Sequence, residues 1–76
     1  MMKQKEAQII KICLLLSDKT GMLFEYEYRE RLEKFELICD NFEEYFHGTL
    51  FKKWRKIAEK LYPQTKFYVV YKSSKR

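Results

Sequence analysis

Glycine, proline, histidine and cysteine are all scarce in this chain, and each scarcity removes a class of protein. Its 76 residues include two glycines (Gly21 and Gly48), one proline (Pro63), one histidine (His47) and two cysteines (Cys13 and Cys39). So few glycines leave no glycine-rich phosphate loop, and no GxSxG or EF-hand pattern is present. A lone imidazole and two distant cysteines without a CxxC make a zinc site within one chain an improbable convergence. Secreted domains of this size carry roughly four to eight cysteines. Here both cysteines sit in apolar runs and read as buried thiols of a reducing compartment. The apolar run Ile9 to Leu16 is interrupted by Lys11. It is far shorter than the ~20 residues a membrane span needs, and it lacks the small-residue site of a cleaved signal. The expectation is a soluble, cytoplasmic protein with no membrane contact.

Aromatic residues and charge are abundant instead. A chain this short buries only roughly 60 % of its unfolded surface, so one small domain is all it can form. The 17 % of aromatic residues compensates, since each buries roughly 150–250 Å². Charge is divided unevenly. Residues 49–76 hold nine basic side chains against Glu59 alone, a net of +8, whereas residues 21–48 sum to −5 and residues 1–20 to +2. A basic cluster of this density is the usual footprint of a surface that meets phosphate or an acidic partner.

The pattern predicts an α+β fold, a small two-layer domain in the order β-β-α-α-β. A helix over Ile9 to Leu16 would be apolar nearly all round, which favours a central strand. Ser17 to Gly21 then serves as a hairpin loop, with Gly21 at positive φ. Met22, Phe24, Tyr26 and Tyr28 alternate with Leu23, Glu25, Glu27 and Arg29 in a period of two. The hairpin over residues 8–29 would set Lys11 opposite Glu27. From Arg29 the period lengthens to 3.6, placing Leu32, Phe35, Ile38, Cys39, Phe42 and Phe46 on one arc of a helix over residues 29–47. A competing reading makes Phe35 to Cys39 a third strand, with Asp40 capping a later helix. Gly48 suits the left-handed position after a helix. Thr49 would cap a second helix over residues 49–62, burying Leu50, Trp54, Ile57 and Leu61 until Pro63 stops it. Residues 66–72 form the last strand, beside the first, and residues 73–76 a mobile tail. The result is a three-stranded sheet with a helix pair packed on one face.

Catalytic chemistry finds little footing, and no enzyme is expected. His47 reads as a polar helix end. The acidic residues Glu33, Glu36, Asp40 and Glu43 fall at helical spacing and read as a solvated face. No catalytic residue, metal ligand or cofactor site is assigned. The basic stripe is the candidate binding surface: Lys52, Lys53, Arg55, Lys56 and Lys60, joined by Lys72, Lys75 and Arg76. Phosphate contact by these charges predicts nucleic-acid binding, DNA or RNA, through the helix and tail. Docking on an acidic or nucleic-acid-binding site of a host protein is the alternative. Tyr68 or Tyr71 on an open sheet face would offer stacking, without the glycines of an RRM signature. Trp54 reads as a core anchor. On the open face Ile9, Cys13, Leu15 and Leu23 would form an apolar strip, offering a homodimer surface. In size and Lys- and Tyr-rich composition the chain resembles small phage or mobile-element proteins that inhibit or recruit a host machine, a resemblance that rests on no motif.

Overall fold

The computed structural model describes residues 2–72, in the order α1 (Met2–Thr20), β1 (Phe24–Arg29), β2 (Lys34–Cys39), α2 (Phe42–His47), α3 (Thr49–Leu61) and β3 (Phe67–Tyr71). The α+β class and the three-stranded sheet are as expected. The element order is not: it is α-β-β-α-α-β, and the strands lie in the order β1-β2-β3. Residues 73–76, expected as a mobile tail, lie outside the described residues.

The largest correction is α1, where a strand was expected. Ile9, Ile12, Cys13 and Leu16 are buried, and their spacing of i, i+3, i+4 and i+7 is that of one helical face. Ile10 and Leu14, which made the run look apolar all round, stay on the outer side at 42 % and 65 % exposure. Gly21 does adopt a positive φ of 77°, but it closes a helix rather than a hairpin. Its N–H donates to the Ser17 carbonyl at 2.8 Å, as in a left-handed helix C-terminus.

The hairpin is β1–β2 instead, antiparallel, with Tyr26 opposite Leu37 and Glu27 opposite Glu36. The expected helix over residues 29–47 is therefore a turn, a strand and a short helix, so the third-strand reading of Phe35 to Cys39 prevails. The turn holds Glu33 at φ 55°, and its N–H donates to the Glu30 carbonyl at 3.2 Å. Asn41, not Asp40, caps α2, its Oδ1 accepting the Glu44 N–H at 2.9 Å. Alternation sends Phe35, Leu37 and Cys39 to the helical side of the sheet and Glu36 and Ile38 to the other. Glu36 is nonetheless buried. Arg29 donates to it through Nε, and Nη2 forms ion pairs with Glu36 and, at 2.9 Å, with the Glu27 carboxylate. One guanidinium thus offsets the repulsion of two facing carboxylates.

β3 lies beside β2, not beside the first strand, and runs parallel to it with Leu37 opposite Val69. Parallel neighbours need a long crossover, and α2 with α3 supplies it. Gly48 between them is extended, at φ −76° and ψ 126°, so the expected left-handed conformation is absent. Glycine is required by proximity: a Cβ there would stand 2.6 Å from the Glu44 carbonyl oxygen and overlap the Glu44 carboxylate. Gly48 is the N-cap of α3, and Thr49 is its first residue. The capping role falls to Glu44, whose Oε2 accepts the Phe51 N–H at 3.1 Å, placing negative charge at a helix N-terminus.

α1 and α3 cover one face of the sheet. Ile9, Ile12, Cys13 and Leu16 meet Phe35, Leu37 and Ala58, with Tyr26, Trp54 and Val69 partly buried around them. Burial of each large aliphatic side chain stabilises by roughly 1.5–3 kcal/mol. The molecule measures 34 × 29 × 17 Å, and sheet and helix layers stand roughly 10 Å apart. The short axis therefore accommodates one sheet and one helical layer, leaving the other sheet face uncovered. α3 is turned from the expected orientation by about 80° at about 100° per residue. Phe51 and Ala58 are its buried residues, while Leu50 and Leu61, expected in the core, are 48 % and 58 % exposed.

Candidate nucleic-acid interface

The inward turn of Phe51 and Ala58 determines what α3 shows to solvent. At 100° per residue, Lys52, Lys53, Lys56 and Lys60 fall on the side opposite the core, and all four are exposed. Among the described residues none of them forms an ion pair. Arg55 differs. It is half-buried, bonded to Glu59 one turn on at 3.2 Å, with its guanidinium 6.0 Å from the Phe51 ring centre. Its charge is partly spent within the helix.

Lys72 does not join this stripe. It shares the parity of Tyr68 and Val70, and it borders a hollow on the open sheet face with Leu23, Glu25, Glu27, Ile38 and Asp40. Lys75 and Arg76 lie outside the described residues. Of the expected site residues that the structure describes, it brings together a stripe of four lysines with Arg55 at its margin. One member was missed: Lys19. Its Nζ lies 4.8 Å from the Trp54 ring centre, and that of Lys53 lies 5.8 Å away. Antiparallel packing of α1 on α3 creates this pair, so no spacing along the chain announces it. Trp54 is half-buried against the core and holds two ammonium groups near its ring.

A second feature borders the stripe. Between α2, the start of α3 and the outer edge of β3 runs a groove of about 410 Å³, its walls including Phe46, Phe67, Tyr68, Lys52 and Arg55. Tyr45 anchors α2 there by donating its hydroxyl to the Val69 carbonyl at 3.0 Å. Phe46 stands 48 % exposed, its ring centre 4.7 Å from Tyr45 and 4.5 Å from Phe42. Of the two tyrosines expected on the open face, Tyr68 is there. Tyr71 points to the helical side, 5.4 Å from Phe42 and 6.5 Å from Tyr45.

The open sheet face carries a different charge pattern. Glu25, Glu27 and Glu36 alternate there with Arg29 and Lys34, and Arg29 joins Glu27 to Glu36. The hydrogen bond to Glu36 holds the Arg29 guanidinium above its ordinary pKa. The acidic residues therefore do not form the solvated helix face expected of them. The expected apolar strip is also absent: Ile9 and Cys13 are buried in the helical layer, and Leu15 packs against the same core. Both cysteines are free and buried, as expected. Burial pushes the Cys13 thiol up to about 11 and raises that of Cys39, so both stay protonated at neutral pH. His47 is exposed at the end of α2, 6.5 Å from the Phe42 ring.

No helix among the described residues is long and apolar enough to cross a membrane. No protein-family model, curated protein or solved structure matches the chain.

Proposed function

We propose that this is a small non-enzymatic binding protein that engages nucleic acid through the outward face of α3. The carrying observation is the stripe of Lys52, Lys53, Lys56 and Lys60, exposed together on a helix whose opposite side is held in the core. Ammonium groups without carboxylate partners are free to replace the counterions of a phosphate backbone. Four such contacts give a log–log salt slope of roughly −3.6 on a duplex. A mobility-shift series with DNA and RNA at rising salt tests this reading. Lys52→Glu combined with Lys56→Glu is expected to abolish retention while the thermal transition stays in place. Equal binding by that variant and the wild type at low salt overturns the reading.

A second reading is favoured by a separate observation. Leu50 and Leu61 stand exposed on the flank of α3, and apolar contact beside positive charge suits an acidic protein surface. In that case Leu50→Ser and Leu61→Ser would weaken association as much as the lysine reversals. With nucleic acid as the partner they would leave retention unchanged.

A further inference from the structure

We propose that the groove beside β3 receives an unstacked base of a single-stranded nucleic acid, while the strand's phosphates run onto Lys52 and the outer face of α3. The inference deepens the preceding reading and rests on it for the electrostatic half of the binding.

Three observations meet at this groove. The first is aromatic surface. Phe46 on α2 is 48 % exposed, and Phe67 on β3 is half-buried at the same hollow, to which Tyr68, its ring on the open sheet face, adds only a border. Nucleobases stack on such rings without regard to sequence, because every base has a π-face. The second is charge. Lys52 and Arg55 border the hollow, and Lys52 also belongs to the outward stripe. A strand leaving the groove therefore meets cations at once.

The third observation is the backbone. The Phe35 N–H donates to the Lys66 carbonyl and the Lys72 N–H to the Cys39 carbonyl. By alternation, Phe67, Val69 and Tyr71 turn their own N–H and C=O groups away from β2. No strand among the described residues pairs with this edge. It offers the polar edge of a base a carbonyl from Phe67 and an N–H from Val69.

The same edge argues against an added peptide strand, which needs a run of successive outer groups. The Val69 carbonyl at its centre is already taken by the Tyr45 hydroxyl. A base needs only one or two such groups. The volume of about 410 Å³ falls within the size range of small-ligand pockets and is closed to a stacked duplex.

The test is fluorescence anisotropy with a dye-labelled oligo-dT of about 12 nucleotides and a duplex of equal length, at low and moderate salt. The wild type is expected to prefer oligo-dT by about tenfold. Phe46→Ala should cost about tenfold on oligo-dT and nothing on the duplex, and Phe46→Leu, which keeps apolar bulk without a π-face, should do the same. Lys56→Glu, remote from the groove, should weaken both ligands. If both ligands bind and Lys56→Glu weakens both, but neither Phe46 variant discriminates between them, the groove proposal falls and the α3 reading stands. If neither ligand binds at low salt, both fall. Binding of a poly-glutamate peptide that Phe46→Ala abolishes, without any response to oligo-dT, assigns the groove to an acidic peptide and overturns the proposal.

Discussion

The outward face of α3 and the open face of β1–β2 are both densely charged, yet they handle charge in opposite ways. On the sheet, Arg29 is paired with Glu27 and with the buried Glu36, so the cation is taken up within the fold. On α3, Lys52, Lys53, Lys56 and Lys60 have no such partners among the described residues. Charge used for internal pairing stabilises a fold, and charge left unpaired favours a partner at some cost in self-repulsion. Formal charge in the sequence does not distinguish the two cases. The geometry of the partners does.

Reversing charges on each face separately has the largest expected effect. Lys52→Glu with Lys56→Glu should lower nucleic-acid affinity by about 100-fold at moderate salt, roughly 2.7 kcal/mol, and leave stability within about 0.5 kcal/mol. Glu25→Lys, on the sheet, should leave affinity within about threefold, because it adds a cation on the opposite side of the molecule. Anisotropy titrations and urea melts on the same samples check both halves. Equal effects from the two faces would show that binding follows net charge alone.

Arg29→Ala makes the complementary break. It leaves Glu36, whose side chain is only 8 % exposed, without its cation. Removing one member of a buried pair costs about 3–5 kcal/mol. The Arg29 side chain is 39 % exposed, and water screens much of that, so a lower midpoint in urea unfolding is expected, with a loss well short of that range. Affinity of the folded variant for nucleic acid should be unchanged. Arg29→Ala with Glu36→Leu should recover most of the stability, since an apolar side chain replaces the stranded carboxylate.

The two faces also differed in how far the sequence announced them. α3 and β3 were legible because Pro63 marks a stop and KFYVVYK is rich in β-formers. α1 was not: Ile10 and Leu14 on its outer side hide the face formed by Ile9, Ile12, Cys13 and Leu16. β2 was missed for two physical reasons. Ile38 lies on the open face, opposite Glu25, and breaks the polar–apolar alternation of a half-exposed strand. The turn before it also lacks glycine, asparagine and aspartate, because Glu33 itself takes the left-handed conformation. The apparent 3.6 period from Leu32 to Phe46 ran through three different elements. The lysine stripe was readable within one helix. The groove was not, since Phe46, Lys52 and Phe67 come from three elements that only the parallel crossover brings together.

Gly48 tests the link between the stripe and the groove, because it sets α2 against α3. In Gly48→Ala a Cβ meets the Glu44 carbonyl and displaces the carboxylate from the Phe51 N–H. Overpacking costs about 1–3 kcal/mol, offset in part by the lower entropy of the unfolded chain, so a net loss of about 1 kcal/mol is expected. If the groove takes a base, this variant should also lose affinity for oligo-dT more than for duplex. A variant that is less stable but binds both ligands as the wild type does would separate α2 from the site.

The smallest expected effect lies in the turn of the sheet face, and its sign is what matters. Glu33 holds φ 55°, a conformation that costs an ordinary L-residue roughly 1–2 kcal/mol. Glycine removes that cost but gives the unfolded chain more freedom, worth roughly 0.5–1 kcal/mol. Glu33→Gly should therefore gain about 0.5 kcal/mol, or roughly 2–4 °C in Tm for a domain of this size. Glu33→Val, β-branched at the same φ, should move Tm down. Because Glu33 is part of neither Arg29's pairing nor the lysine stripe, neither variant should alter nucleic-acid affinity. A drop in Tm for Glu33→Gly would mean that the Glu33 side chain, and not the backbone alone, supports the turn. The sheet face would then hold one more paired charge than the contacts of Arg29 account for.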